Sequence, residues 1–322
     1  MAMVVNRQWS ELLAKVGGGL MVWTHSGKVK PGDVFVAIPG AKVDGASFIP
    51  QALQRGAADV VARSASGWPA DASAALVLHP EPARALGELA AAYFKTASHP
   101  FKLVGVTGTN GKTTVSYLVE YLLAANGHRA GVMGTISYRW PGVVIESQLT
   151  TPDCWKLHVD VEAVVMEVSS HSLDQARVAG LKYDVAVMTN LTQDHLDYHG
   201  TMDAYMAAKA RLFSEYSASG RTAVLNWDDP ACAKMLRSLP GSIGYGLTPP
   251  PEGDFTALHG RLVSATAAGL ELEILWEDRS LHLSSPLVGR HNAENLLAAV
   301  GAGLALGMPL KSMKVLEDFF GV

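Results

Sequence analysis

Residues 105–114 read G-V-T-G-T-N-G-K-T-T, and the segments on either side decide what this turn is. Before it, residues 103–106 are short, apolar and β-branched. After it, Val115, Leu118, Val119, Leu122 and Leu123 recur at the spacing of one helix face. A buried strand therefore runs into a helix through a glycine-rich turn, the layout of a phosphate cradle. Gly108 and Gly111 allow successive backbone N–H groups to converge on phosphate oxygens, the helix N-terminus adds partial positive charge, and Lys112 adds a full one. The Thr113 hydroxyl is placed to reach a magnesium ion. The strict pattern G-x-x-x-x-G-K-S/T is not met, because Val106 stands where its first glycine would be, so the match is to a variant loop. The bland alternative is a tight strand-to-helix turn with no ligand.

The turn sits in a chain of 322 residues, enough for about two domains with ample core. A net charge of −4 offers no general attraction to a phosphate backbone, which excludes nonspecific nucleic-acid binding. The two cysteines, Cys154 and Cys232, have no metal-site or disulfide-scaffold spacing and fit a reducing compartment. Asn6, Arg7 and Gln8 interrupt the N-terminal apolar run, and no 18-residue apolar stretch follows. The expectation is a cytoplasmic enzyme without a membrane partner.

Up to about Ala97, short apolar runs at 34–38, 60–62 and 75–78 alternate with turn signals and a helical pattern at 82–94, which predicts a small α/β unit. The stretch T-A-S-H-P at 96–100 reads as a linker. Beyond it, strand patterns at 103–106, 130–134, 163–168, 185–189 and 222–225 alternate with helices at 112–125 and 203–216, predicting a doubly wound, mostly parallel sheet over 101–322. Ligands of such sheets bind at the carboxyl ends of the strands. Three polar segments follow apolar runs or turns in that way: Glu167 to His171, Thr189 to His199, and T-T-P-D at 150–153. Glu167 and His195 are candidate magnesium ligands, direct or through water, at a phosphate whose charge must be neutralised. The structural alternatives are a cap for Glu167, Ser169 and Ser170, a surface position for any single histidine, and an N-cap followed by proline at 150–153.

With these segments in view, the chain resembles the Mur ligases of peptidoglycan synthesis, and within them the branch that adds the third residue of the stem peptide to UDP-N-acetylmuramoyl-L-alanyl-D-glutamate. The resemblance rests on T-G-T-N-G-K-T-T at 107–114, T-T-P-D at 150–153, E-V-S-S-H-S-L-D-Q-A-R-V at 167–178, D-H-L-D-Y-H-G-T-M-D-A-Y-M-A-A-K-A-R-L-F at 194–213, and G-R-H-N-A-E-N-L-L-A-A at 289–299. It implies a P-loop-type ATPase domain in which Gly108, Thr109, Asn110, Gly111, Lys112, Thr113 and Thr114 hold the phosphates of ATP. It implies two Mg2+ ions with Thr113, Glu167, His195 and Lys209 as ligands, Lys209 being carbamylated. By composition alone Lys209 would be a solvated helix lysine. His291, Asn292 and Asn295 are implied at the adenine, where the alternative is an N-cap and ordinary helix positions. Thr150, Thr151, Ser169, Gln175 and Arg177 are implied to contact the UDP-muramoyl dipeptide, the Arg177 fork suiting carboxylate or phosphate.

The amino-terminal run V-K-P-G-D-V-F-V-A-I-P-G-A-K-V-D-G-A-S-F at 29–48 resembles the family's UDP-binding domain, which implicates Ser26 and, with them, Ala41, Lys42 and Val43. Three departures accompany the resemblance. His25-Ser26-Gly27 replaces the family's D-S-R. The region 153–164 is short by about three helical turns. The chain ends at Val322, where relatives continue into an amino-acid-binding domain. The expectation is therefore a monomeric fragment that binds nucleotide and turns over little, with the third residue, meso-diaminopimelate or L-lysine, unreadable. The implied chemistry is acyl-phosphate formation followed by amide formation, mostly positioning and charge stabilisation. The alternatives are a folylpolyglutamate-synthase-like ligase, against which the 29–48 run stands, and a non-catalytic nucleotide-binding module.

Overall fold

The computed structural model describes residues 7–40, 43–95, 101–147 and 161–321. Ala41, Lys42, Thr150, Thr151, the linker at 96–100 and most of the short region at 153–164 lie outside them. The chain forms two compact units. Among the described residues, the first takes those up to residue 95 together with 175–181, and the second takes the rest. The inclusion of 175–181 in the first unit is a difference from the linear division at 97–101.

In the first unit, β1 (Val22–Trp23), β2 (Val34–Val36), β3 (Asp59–Ala62) and β4 (Ala75–Leu78) form a parallel sheet in that order. Side chains alternate across it. Val34, Val36, Val61 and Val77 pack with Leu12 and Val16 of α1 (Trp9–Gly17) and Ala85 and Leu89 of α3 (Pro82–Phe94). Phe35, Val60 and Leu76 pack on the other face with Ile49 and Ala52 of α2 (Ile49–Gln54). Helices cover both faces, which is why the strands read as unbroken apolar runs. The segment 175–181 belongs here through a close backbone approach. A side chain at Gly87 of α3 would collide with Ala179, and Gly180 takes φ +82° beside it.

The second unit is built on β5 (Lys102–Thr107), β6 (Ala130–Met133), β7 (Ser137–Trp140), β8 (Val143–Glu146), β9 (Ala163–Glu167), β10 (Tyr183–Met188), β11 (Ser217–Asn226), β12 (Ser242–Gly246), β13 (Phe255–Thr266), β14 (Gly269–Trp276) and β15 (Arg279–Ser285). They form one sheet in the order 15-14-13-12-11-10-5-9-6-7-8. The block from β13 to β6 is parallel, while β14, β15, β7 and β8 add antiparallel margins. These margins and β12 to β13 were not among the predicted strands. On one face, α4 (Lys112–Ala125) and α9 (Arg290–Ala305) bury Leu118, Leu122, Leu296 and Leu297 in the main core, and a short α8 (Pro230–Leu236) connects β11 to β12. Elsewhere, Leu212 of α7 (Met202–Ser214) and Tyr183 of β10 stand so close to Gly105 that a Cβ there would meet both.

Candidate active site

Strand register sets the site. In the ladder Val106 pairs with Glu167 and Thr107 with Met188, so the exits of β5, β9 and β10 lie side by side. The loop 108–111 leaves β5 there and turns into α4. Gly111 has φ +85°, and Gly108 has φ +143° with the Thr189 side chain where a Cβ would stand, so both positions require glycine. The first helical bond runs from Val115 N–H to Gly111 O at 2.9 Å, leaving the preceding amides of α4 to face a ligand. Residues after β10 hold the loop from outside. Asn110 N–H donates to Asn190 Oδ1 at 2.9 Å, the Thr189 hydroxyl donates to Asn110 O at 2.6 Å, and Thr192 N–H donates to Thr109 Oγ1 at 3.0 Å.

At the floor of the loop stands Glu167, a carboxylate with no exposed surface at the end of β9. It accepts from the Thr113 hydroxyl at 3.0 Å, the Thr135 hydroxyl at 3.0 Å and Thr135 N–H at 2.9 Å. Gly134 is needed next to it, because a Cβ there would overlap the carboxylate. A carboxylate taken out of water at such a place is held by donors, as it must be. Thr113 and Glu167 together are an all-oxygen donor pair. That pair fits magnesium, which takes one or two protein oxygens and completes its octahedron with phosphate and water. Among the described residues no three His, Cys, Asp or Glu side chains converge on one point. A magnesium ion here would therefore draw on hydroxyl and phosphate oxygens as well.

Two lysines share one loop carbonyl. Lys112 Nζ donates to Gly108 O at 3.1 Å and Thr109 O at 2.9 Å, while Lys209 Nζ donates to Gly108 O at 2.7 Å. Burial lowers the Lys112 pKa against the pull of Glu167 and Asp194. Lys209, on α7, is only 1% exposed, which overturns the solvated reading that composition suggests. Burial first, then the charge of Lys112, brings its pKa down to about 7. Its ammonium lies 4.5 Å over the ring of Tyr205, whose hydroxyl is 3.3 Å from Thr109 Oγ1.

His195 caps a short helix, α6 (Leu196–His199), with φ +52°. It is nearly half exposed and lies 3.4 Å from Asp194. Its ring meets His171 edge-on at 4.7 Å, and Tyr205 is 6.0 Å away. His195 thus stands on the same side of the unit as Lys209, with Tyr205 between their contacts, while Thr113 and Glu167 are in direct contact with each other.

Beyond the loop, a cavity of about 490 Å³ is lined by Asn110, Thr189, Tyr245, His291, Glu294 and Asn295, among others. Asn295 Nδ2 donates to Asn292 Oδ1 at 3.0 Å, and Asn292 Nδ2 donates to Val288 O at 2.9 Å. Asn292 lies inside the first turn of α9, whose N-cap is Gly289, so the N-cap alternative for it does not hold. The volume and polar lining suit a nucleoside.

Other candidates are placed elsewhere. In the first unit, the buried Ser26 hydroxyl donates to Gln51 Oε1 at 2.6 Å, and Val43 is exposed. Ser169 Oγ accepts from Ser172 N–H at 3.2 Å, so it caps α5 (Ser170–Asp174) as the structural alternative holds. Gln175 and Arg177 fall in the segment that packs with the first unit. Sequence reasoning gave no role to Thr135, Tyr205 or Glu294. Thr135 was within reach of it, since Gly134-Thr135 follows the apolar run of β6 as Glu167 follows that of β9. The other two carry no pattern of their own in the sequence, since only the fold brings Tyr205 beside Thr109 and Glu294 beside Asn110 and Thr189.

Family models match both units: a Mur ligase middle domain over residues 106–303 and a Mur ligase family catalytic domain over 21–94. The chain is 45% identical over 311 residues to a UDP-N-acetylmuramoyl-L-alanyl-D-glutamate:2,6-diaminopimelate ligase of Lawsonia intracellularis, covering 94% of this chain and 64% of that protein. It is 41% identical to the ligase of the same name from Synechococcus elongatus, covering 93% and 62%. It spans, then, a little under two thirds of these curated relatives. A solved structure of a ligase with that name superposes with a TM-score of 0.81 at 30% identity over 94% of this chain and 63% of its own. A MurF ligase from Thermotoga maritima in complex with ADP shares the fold at TM-score 0.59, 24% identity, 94% of this chain and 66% of its own.

Proposed function

The chain belongs to the Mur ligase family, and from that premise we propose that it serves ATP-dependent amide ligation on UDP-N-acetylmuramoyl-L-alanyl-D-glutamate in the cytoplasm, with 2,6-diaminopimelate as the incoming amino acid. The amino acid is taken from the names of the curated relatives. The observation that carries the reading is the buried Glu167 carboxylate held by Thr113 and Thr135 directly under the phosphate loop.

In the reaction, an oxygen of the D-glutamate γ-carboxylate attacks the γ-phosphorus of ATP, the bond to the bridging oxygen breaks, and acyl phosphate and ADP form. The nitrogen of the incoming amine then attacks the acyl carbon, phosphate leaves with the bonding pair, and the amine proton passes to solvent. The loop amides of Gly108 to Thr114 and the Lys112 ammonium hold the β- and γ-phosphates, a preorganised charge that needs no rearrangement as negative charge moves. Lys112 must leave the carbonyls of Gly108 and Thr109 to do so, a short swing of its terminal bonds. Thr113, Glu167, His195 and carbamylated Lys209 are the proposed magnesium ligands. When bound, two such ions neutralise triphosphate charge. Carbamylation adds CO2 to the neutral Lys209 amine with loss of a proton, and a pKa near 7 supports the presence of that neutral amine. His291, Asn292 and Asn295 face the base. Ser26, Val43, Gln175 and Arg177 remain the proposed contacts to the UDP-muramoyl dipeptide, with Ser169 as cap and contact together. Ala41, Lys42, Thr150 and Thr151 complete that set from outside the described residues.

The test is calorimetric titration of the chain with Mg·ADP and, separately, with UDP-N-acetylmuramoyl-L-alanyl-D-glutamate. Binding of both is expected. Binding of nucleotide with a folate in place of the UDP-sugar would favour a folylpolyglutamate-synthase-like ligase instead.

A further inference from the structure

Among the described residues, the cavity beside the phosphate loop has one carboxylate in its wall, Glu294, which the reaction does not use. Glu294 lies one turn into α9 among otherwise neutral or weakly basic neighbours, Asn110, Thr189, Tyr245, His291 and Asn295. Its side chain is about three-quarters buried, and Arg290 Nε approaches it at 3.4 Å. Arg290 also reaches Asp228 at 3.5 Å, so one guanidinium is divided between two carboxylates. Asn226, which donates to Thr189 O at 3.0 Å, is a further hydrogen-bonding neighbour of Glu294. Since Thr189 also holds Asn110 O, the carboxylate is linked through two side chains to the back of the phosphate loop. Burial and the nearby Asp228 raise the Glu294 pKa, against Arg290 and Asn226. An acceptor so placed gains from one more donor, and a carboxylate has about four acceptor positions, of which Arg290 and Asn226 use part.

We infer that Glu294 is a specificity-determining residue of the nucleotide site, accepting a hydrogen bond from the nucleoside half of the ligand, either a ribose hydroxyl or the exocyclic amine of the base. The inference rests on the nucleotide reading above and deepens it. A phosphate cannot occupy the Glu294 end, because two like charges a few ångströms apart in a half-buried site repel strongly. Phosphate therefore goes to Lys112 and the loop, and the neutral, donor-bearing nucleoside goes to the carboxylate. Glu294 in this way fixes the direction in which the nucleotide enters, as well as rejecting ligands that lack the donor. A site that hydrogen-bonds a particular group discriminates against its absence because its own acceptor is left unpaired.

The experiment compares Kd values of the wild-type chain and Glu294→Gln for ADP, 2′-deoxy-ADP, 3′-deoxy-ADP and purine riboside diphosphate, the last lacking the exocyclic amine. Inorganic tripolyphosphate serves as a probe of the loop alone. The expected result is that the wild type binds one analogue roughly ten- to a hundred-fold more weakly than ADP, the range for a hydrogen bond to a charged group. Which analogue suffers distinguishes ribose from base. Glu294→Gln is expected to lose most of that preference while binding tripolyphosphate at least as tightly as the wild type. Equal wild-type affinity for all four nucleotides would overturn the inference, as would an unchanged preference in Glu294→Gln. Because equal wild-type affinities overturn the inference without any variant, the test survives a variant that fails to fold; a Glu294→Asp variant, which keeps the charge and withdraws the carboxylate, then serves in place of Glu294→Gln and is expected to lose the same preference. Absence of ADP binding by the wild type would overturn the nucleotide reading and this inference with it, whereas ADP binding without discrimination overturns the inference alone.

Discussion

Replacing Lys209 with methionine should make the protein more stable near neutral pH. Lys209 is buried, and its pKa falls from 10.5 to about 7. A lowering of about 3.5 corresponds to about 5 kcal/mol at 1.36 kcal/mol per unit. The sign follows from linkage. Above pH 10.5 the amine is neutral folded and unfolded, so burial costs nothing through ionisation. Between 10.5 and 7 the unfolded chain is protonated and the folded one is not, so stability falls as pH falls, and below 7 the full cost is present. Methionine fills a similar volume without charge. It forfeits the 2.7 Å bond to Gly108 O, worth about 1 kcal/mol, although Lys112 keeps that carbonyl satisfied. Lys209→Met should therefore exceed the wild type by about 4 kcal/mol at pH 6.5, and the advantage should shrink with a slope of up to 1.36 kcal/mol per pH unit toward pH 10. Urea unfolding of both proteins at four pH values in carbonate-free buffer measures this. Added bicarbonate should then stabilise the wild type alone, because Lys209→Met has no amine at this site to form a carbamate. A pH-independent difference, or a variant less stable at every pH, would refute the reasoning.

Gly108→Ala should abolish measurable ADP binding while circular dichroism stays native. Its φ of +143° is adverse to a side chain, and a Cβ would strike Thr189, the residue that holds Asn110. Glu167→Gln should remove most of the gain in ATP affinity that Mg2+ gives the wild type, roughly tenfold or more for a lost charged ligand, with titrations in EDTA giving similar values for both proteins. Leu297→Ala, in the core between α9 and the sheet, should cost about 2–5 kcal/mol in unfolding by denaturant, as a fully buried leucine leaves a cavity.

The parts of the fold that the sequence made legible are those whose signal is local. The helical pattern at 112–125 is Lys112–Ala125 of α4, and that at 82–94 is Pro82–Phe94 of α3, because apolar spacing and flanking turns are properties of consecutive residues. The polar residues after apolar runs stood out for a related reason: parallel strands place their carboxyl ends together, so Glu167 and Thr107 had to emerge near each other. Strands β13 to β15 escaped because alternation along them is too irregular to read: in Phe255–Thr266 the face of Leu258 and Leu262 also carries Thr256, Gly260 and Ser264, while Val263 is exposed on the other. Membership of 175–181 in the first unit rests on Gly87 and Gly180 meeting across the chain, which no periodicity encodes. Lys209 is the sharpest instance. Its helix position looks solvated by composition, and only the packing of α7 against the loop shows a buried amine on Gly108 O.

The central claim is that residues 108–114 hold the phosphates of a nucleotide with Lys112 as their charged partner. Its most direct test is the Kd of Mg·ADP for the wild-type chain and for Lys112→Met, by calorimetry at one ionic strength. The account predicts wild-type binding somewhere in the range of about 1 μM to 1 mM typical of enzyme substrates, and at least tenfold weakening in Lys112→Met. No binding by the wild type, or equal binding by both, would contradict it.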